Sequence, residues 1–287
     1  MTNSEGSLSA GAVVPQPAPS ERFRQVSRRY VAMSAVALGV LLVWQMLRLT
    51  LNLPAYKLPD PLSIIAEFFN TTPRGQLVAV SLAYDLLVTW FEALVGFAVG
   101  AAAGFAVAIL FTQSRVMERG LLPYVIMSQT IPILAVAPMV VVGAGQLGAP
   151  AWFAKAIIAA YLTFFPVTIN ALRGLKSVEP DALDLMRSYA ATRRETYLKL
   201  RIPNAMPYLF TALKISATAS VIGAIVAELP VGSTEGLGSA LINGAQYNTF
   251  QPAYLWATII AAAALGLMFY GVVAIAEKRV VTWRVGA

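Results

Sequence analysis

Six long apolar runs organise this chain, at about residues 31–48, 86–112, 122–147, 152–173, 207–229 and 253–276. Each has the length of a membrane-crossing helix, which takes ~17–25 residues for a ~30 Å hydrocarbon core. The runs are continuous and rich in Ala, Gly and Leu, without the alternation of barrel strands. A helix satisfies its own backbone groups, which lipid cannot do. The pattern predicts an all-α membrane protein with six transmembrane helices. Before the first run, MTNSEGSLSAGAVVPQPAPS is small, polar and Pro-rich, a composition that stays disordered. ERFRQVSRR follows, so residues 1–29 read as a disordered basic tail ahead of a transmembrane domain at 30–287. A cleavable signal would carry its charges at the very start and a shorter apolar core, so the first run reads as an uncleaved span.

Charge placement orients this bundle. With the N-terminus in the cytoplasm, the cytoplasmic segments hold sixteen of the 21 basic residues. The external segments hold only Arg48, Lys57 and Arg74, while Lys155 and Lys214 fall within spans. This positive-inside pattern puts both termini in the cytoplasm. It also accounts for the net charge of +7 without any nucleic-acid partner. The charged fraction of 12% against 58% hydrophobic residues is far below the ~25% charged of soluble domains. Cysteine and histidine are both absent, which removes the thiol nucleophile, the commonest general base and the commonest metal ligand. The reading is a non-enzymatic chain with no cofactor.

Within the spans, a few residues break the apolar pattern. Gly96, Gly100 and Gly104 recur every four residues and make a smooth face, for helix packing or for gating. The third run carries Pro123, Pro132 and Pro138, with Ser128, Gln129 and Thr130 just before Pro132. Proline kinks helices, and broken helices in transporters line cavities. A static kink and a pathway lining by Gln129, Thr130 and Pro132 both fit. Lys155 and Lys214 lie near span ends, from which long side chains snorkel to water. Glu92 lies two turns inside the second span and Glu228 at the outer end of the fifth. Their short stems reach less far. The two acids, with Lys155 as a partner, either line the external half of a path or fix helix register.

The longest loop, about 175–206, reads LKSVEPDALDLMRSYAATRRETYLKLRIPNAM. Its apolar residues recur at Leu183, Met186 and Tyr189, then at Tyr197 and Leu200. That spacing predicts two short amphipathic helices with a break near Ala190-Ala191-Thr192. Glu179, Asp181 and Asp184 fall where a helix start favours acids. Pro203 is expected to stop the second helix and Pro207 to open the next span.

This loop resembles the hallmark of ABC importer permease subunits, EAA-x3-G-x9-I-x-LP. Asp184-Leu185-Met186 stands at the EAA place, followed by Arg187. Ala190 stands at the glycine, and Leu200-Arg201-Ile202-Pro203 at I-x-LP. LPDPLSII, SQTIPILAVAPMVVV, VTINALRGLKSVEPDAL and IVAELPVGSTEGLGSAL extend the resemblance over about residues 50–285. They look like the nitrate, sulfonate, taurine and thiamine-precursor group. The resemblance implies coupling helices that dock in a groove of a separate ABC ATPase, since no G-x-x-x-x-G-K-[ST] is present here. It further implies an external solute-binding protein, a permease homodimer and a bacterial plasma membrane. Sulfonate and nitrate permeases of the group commonly carry Arg where Glu92 stands, before Leu94-Val95-Gly96-Phe97. The acid looks more like the branch that imports vitamins such as riboflavin or the thiamine pyrimidine. The alternatives are a sulfonate, taurine or nitrate permease and, in another class, a proton-coupled secondary transporter.

Overall fold

The computed structural model describes residues 19–73, 75–229 and 234–282, without the side chains of 19–27, 29 and 30. Two units are compact in themselves, residues 1–61 and 62–287.

In the first unit a single helix, α1, runs Pro19–Thr50. It therefore takes in the basic stretch ERFRQVSRR, which the sequence pattern places in a disordered tail. Pro at a first helical position is pre-organised, and Arg and Gln are good helix formers. The rest of that tail, residues 1–18, lies outside the described residues. Beyond α1 the chain turns back on itself. Trp44 Nε1 donates to the Pro59 carbonyl at 3.0 Å, and Arg48 pairs with Asp60 at 2.9 Å.

A short helix, α2 (Pro61–Glu67), leads into the second unit. The helices that follow are α3 (Val78–Gln113), α4 (Arg115–Ser128), α5 (Ile133–Gln146), α6 (Ala151–Lys176), α7 (Pro180–Ser188), α8 (Arg193–Glu195), α9 (Ile202–Glu228), α10 (Leu237–Gln246) and α11 (Pro252–Val280). No strand occurs among the described residues. Among the described residues five helical stretches are long and apolar enough to cross a membrane, and six if the bent pair α4–α5 is one span.

The core is built on α3, α6 and α9. The glycine face of α3 lies directly on α6. A Cβ on Gly100 would stand 2.8 Å from the Thr163 Cβ, and one on Gly104 2.6 Å from the Phe164 carbonyl. These positions advance together along both helices, so α3 and α6 run parallel. α9 returns antiparallel to α6, with Gly174 against Ala205 at one end and Gly223 against Ala159 at the other. Without a hydrophobic drive between helices in lipid, such close backbone approach is what joins them. Larger side chains fill in around this trio. Phe97 of α3 meets Phe269 of α11 at 5.0 Å, within a cluster that includes Phe210, Val221 and Leu265. Buried hydroxyls turn back onto their own helices: Thr163 donates to the Ala159 carbonyl and Thr168 to that of Phe164.

The third apolar run is two helices bent by 95°. The break falls at Gln129–Pro132, where Pro132 has extended backbone angles, as a residue with fixed φ and no N–H dictates. The Ser128 carbonyl at the break accepts from the Ile131 N–H and from the Tyr161 hydroxyl of α6.

Candidate functional site

Two places in the second unit concentrate polar chemistry, at opposite ends of the bundle. The first is the end that carries α7 and α8. α7 closes at Tyr189 and Ala190 takes a left-handed conformation, φ +49°. The Ala190 N–H donates to the Arg187 carbonyl and the Ala191 N–H to that of Met186, the paired bonds of a Schellman stop. Thr192 then opens the next helix. Its hydroxyl accepts from the Glu195 N–H, and the Glu195 carboxylate accepts from the Thr192 N–H at 3.0 Å, a reciprocal capping box.

Past this start the helix does not stop. Residues Thr196–Arg201 form a π-helical turn that passes straight into α9. The Ile202 N–H reaches the Tyr197 carbonyl, five residues back. Pro203 lies at the start of α9 and Pro207 inside it. The expectation that Pro203 ends a separate helix is therefore overturned. The widened turn takes up the chain where proline supplies no N–H.

Loop and spans are tied together at this end. The Tyr197 and Thr112 hydroxyls bond at 2.8 Å. Arg201 packs its guanidinium over the Tyr197 ring, 5.3 Å from the centroid, and donates to the Leu175 carbonyl. Asn204 donates to the Ser177 hydroxyl and the Gly174 carbonyl. Outward, α7 presents Leu185 and Tyr189, four residues apart and exposed. Beside them stands the exposed Asp184–Arg187 pair at 2.6 Å. Met186, Leu200, Ile202 and Pro203 are half-buried.

At the opposite end, one face of α3 continues the glycine stripe upward as Glu92, Thr89 and Asp85. Glu92 Oε1 accepts from Lys155 Nζ of α6 at 2.7 Å, and both side chains are at least 95% buried. Glu228, at the end of α9 and 1% exposed, interacts with Glu92 side chain to side chain. Glu92 Oε2 meets no donor. The Lys155 ammonium pairs with Glu92, whereas Glu228 takes its donors from Thr89 and from the start of α10.

Three successive backbone N–H groups at the start of α10 close the arrangement. Gly236 donates to Asp85 Oδ1 at 2.9 Å, Leu237 to the Thr89 hydroxyl at 2.9 Å and Gly238 to Glu228 Oε2 at 2.5 Å. The Thr89 hydroxyl in turn donates to Glu228 Oε1 at 2.7 Å. Gly236 has φ +100°, and a Cβ there or on Gly238 would strike the Glu228 side chain. Only glycine allows the backbone this close to the carboxylate. Above the Glu92–Lys155 pair opens a cleft of about 580 Å³, walled by Leu87, Phe91 and Trp152 and rimmed by Glu235. Phe91 and Trp152 meet edge to face, centroids 5.8 Å apart.

The family model described as "Binding-protein-dependent transport system inner membrane component" matches residues 96–282. The chain belongs to this family. It is an ABC importer permease subunit, a multi-pass protein of the bacterial plasma membrane. It is 28% identical over 252 residues to a formylaminopyrimidine transport permease, ThiX of Halalkalibacterium halodurans, covering 86% of this chain and 93% of that one. It is 29% identical to the riboflavin transport permease RibX of Chloroflexus aurantiacus, over 86% of this chain and 88% of the other. A putative aliphatic sulfonates permease, SsuC of Bacillus subtilis, is 27% identical over 96% of both chains. Among solved structures, an inward-facing form of the MetNI methionine ABC transporter matches at TM-score 0.58 and 16% identity, covering 73% of this chain and 99% of that chain.

Of the residues that sequence reading singles out in this permease, Glu92 and Glu228 come together. Gln129 and Thr130 are exposed at the α4–α5 bend, beside Pro132. Lys155 is 4% exposed and paired with Glu92: it is the partner of the acids and does not snorkel to water. Lys214 is half-buried and bound to Glu277 at 2.7 Å. Thr89, Asp85, Gly236 and Gly238 are the polar contributors that sequence reading passes over. Their signal is the spacing Asp85, Thr89, Glu92, Gly96, which is one helical face.

Proposed function

We propose that this permease imports a heteroaromatic vitamin or vitamin precursor, such as riboflavin or the thiamine pyrimidine. It works as a homodimer. An external binding protein delivers cargo to the Glu92–Lys155–Glu228 end, and separate ATPases dock on α7 and the turn after it. Both termini lie in the cytoplasm, with Arg187, Arg193, Arg194, Lys199, Lys278 and Arg279 among the basic residues that the positive-inside rule assigns to that side.

The observation that carries the cargo assignment is the aromatic-walled cleft over the buried Glu92–Lys155 pair. Trp152 and Phe91 offer apolar edges to a ring. Glu92 and Lys155 supply one acceptor and one donor for ring substituents. Glu235 at the rim of the cleft disfavours an anionic cargo. The thiamine-precursor and riboflavin relatives support the same class.

The test is ATP-dependent uptake in proteoliposomes that hold the permease, its ATPase and its binding protein. Radiolabelled riboflavin and thiamine pyrimidine are expected to accumulate, and taurine and nitrate to compete weakly. Glu92→Gln should lower uptake about tenfold, the worth of a charge-assisted hydrogen bond. Uptake of sulfonate or nitrate, with both ring compounds inert, would overturn the cargo class. It would establish instead the sulfonate reading that the relative from B. subtilis supports.

A further inference from the structure

The loop end of the bundle holds a second cleft, of about 510 Å³, where α4 stands against α6. Its lining is graded. On α4, Glu118, Leu122 and Ile126 follow one another at four-residue spacing along one face. On α6, Ile169 and Arg173 are one turn apart and Lys176 lies on the last turn. The charged members are therefore together at the loop end, and the apolar members run from them toward the middle of the bundle.

The charges do not cancel. Glu118 is bound to Lys176 at 2.5 Å. Arg173 is exposed and, among the described residues, has no ion pair or hydrogen bond. A free guanidinium thus stands at the level of the helix ends, over a trough of Leu122, Ile126 and Ile169. Guanidinium presents a planar fork of donors that matches a phosphate. The apolar trough below it has no use for a free anion.

We infer that this cleft binds one anionic phospholipid, its phosphate on Arg173, its headgroup beside Lys176 and an acyl chain along the trough between α4 and α6. The inference rests on the reading of these helices as membrane spans. Charge complementarity selects the occupant, because a basic recess between spans at the headgroup level is where acidic lipid is held. The lipid stands between α4 and α6, on a face of α4 that no α5 residue lines, and so supports α4 beside the bend.

Native mass spectrometry of the full chain from nanodiscs of equal phosphatidylglycerol and phosphatidylcholine tests this. One phosphatidylglycerol per chain is expected to survive, and phosphatidylcholine to be stripped. Arg173→Gln should weaken retention about fivefold, the effect of one basic residue at an acidic surface. Arg279→Gln, outside the cleft, should leave it unchanged. Ile126→Trp, which fills the trough, should also expel the lipid while Arg173 stays in place. Equal retention of both lipids, or no response to Arg173→Gln, overturns the inference. So does inorganic phosphate that competes at equal strength and ignores Ile126→Trp. A lipid-independent dimer lost on Arg173→Gln would assign the cleft to a second copy and overturn it as well. ATPase co-purification, read on the same samples, separates failure here from failure of the transporter reading, since Arg173→Gln should leave it intact.

Discussion

Lys155 and Glu92 are tolerable inside this bundle only together. Each is almost fully buried, and removing one member of such a pair leaves an uncompensated charge that costs about 3–5 kcal/mol. Lys155→Met is therefore expected to lower thermal stability in detergent sharply, because it strands the buried Glu92 carboxylate. Lys155→Met with Glu92→Gln should recover most of the loss, and a double mutant no more stable than Lys155→Met alone would refute the pairing. Ala190 is a milder case at the other end. It holds a left-handed φ of +49° at the place where the resembling family has glycine. For a residue with a Cβ that conformation costs about 1 kcal/mol. Ala190→Gly should slow amide exchange of residues 186–192, and faster exchange would refute the strain. Both sites show what one sequence conveys about residues. Glu92 was legible as an anomaly, because a short-stemmed acid cannot snorkel. Lys155 was legible only as one of two choices, partner of the acids or snorkel, because its long stem allowed an exit to water that its burial against Glu92 in fact denies it.

Helices were read from their apolar runs more surely than their ends were. The second run was expected from residue 86, yet α3 begins at Val78. Its first two turns carry Tyr84 and Asp85, and Asp85 is there to meet Gly236 of α10. The π turn at Thr196–Arg201 hid for another reason. Pro203 signals a stop and Pro207 a new start, and nothing in a linear pattern reports a widened turn that carries one helix through both. At this scale the docking of α10 makes a testable element. Three N–H groups bond to side chains on α3 and α9, and Gly236 admits no Cβ. Gly236→Ala must push α10 off Glu228. The expected result is loss of the Gly238 bond, read as faster amide exchange across α10, with α6 unaffected. Protection unchanged in α10 would mean that the contact is dispensable. Gly100→Leu tests the α3–α6 seam in the same way. It should abolish folded, monodisperse protein, because the Ala160 carbonyl and the Thr163 side chain leave no room for a side chain between parallel spans.

For the molecule as a whole, the ends of the bundle differ in charge, and this difference gives it direction. α3 and α6 finish, and α9 starts, at the end that carries the loop. That end holds Arg173, Lys176, Arg187, Arg193, Arg194, Lys199 and Arg201, while the opposite end holds Asp85, Glu92, Glu228 and Glu235 against Lys155. The chain has no native cysteine, so single cysteines report sidedness without background. Ser188→Cys on α7 and Asn243→Cys on α10 give the two ends. In intact cells a membrane-impermeant maleimide should label the second and spare the first, and the reverse would invert the topology. The loop should also couple to ATP hydrolysis through the contacts seen here. Its outer face is Leu185 and Tyr189, and its inner ties are Tyr197 to Thr112 and Arg201 to the Leu175 carbonyl. Leu185→Glu places a charge where an apolar residue would enter a partner's groove. It is expected to abolish ATPase co-purification and transport together. Tyr197→Phe leaves that surface unchanged and removes only the hydroxyl bond to α3. It is expected to keep the ATPase bound and its hydrolysis active, while transport per ATP falls. If Tyr197→Phe instead released the ATPase, the tie would belong to docking, and movement would have to reach the spans by another route.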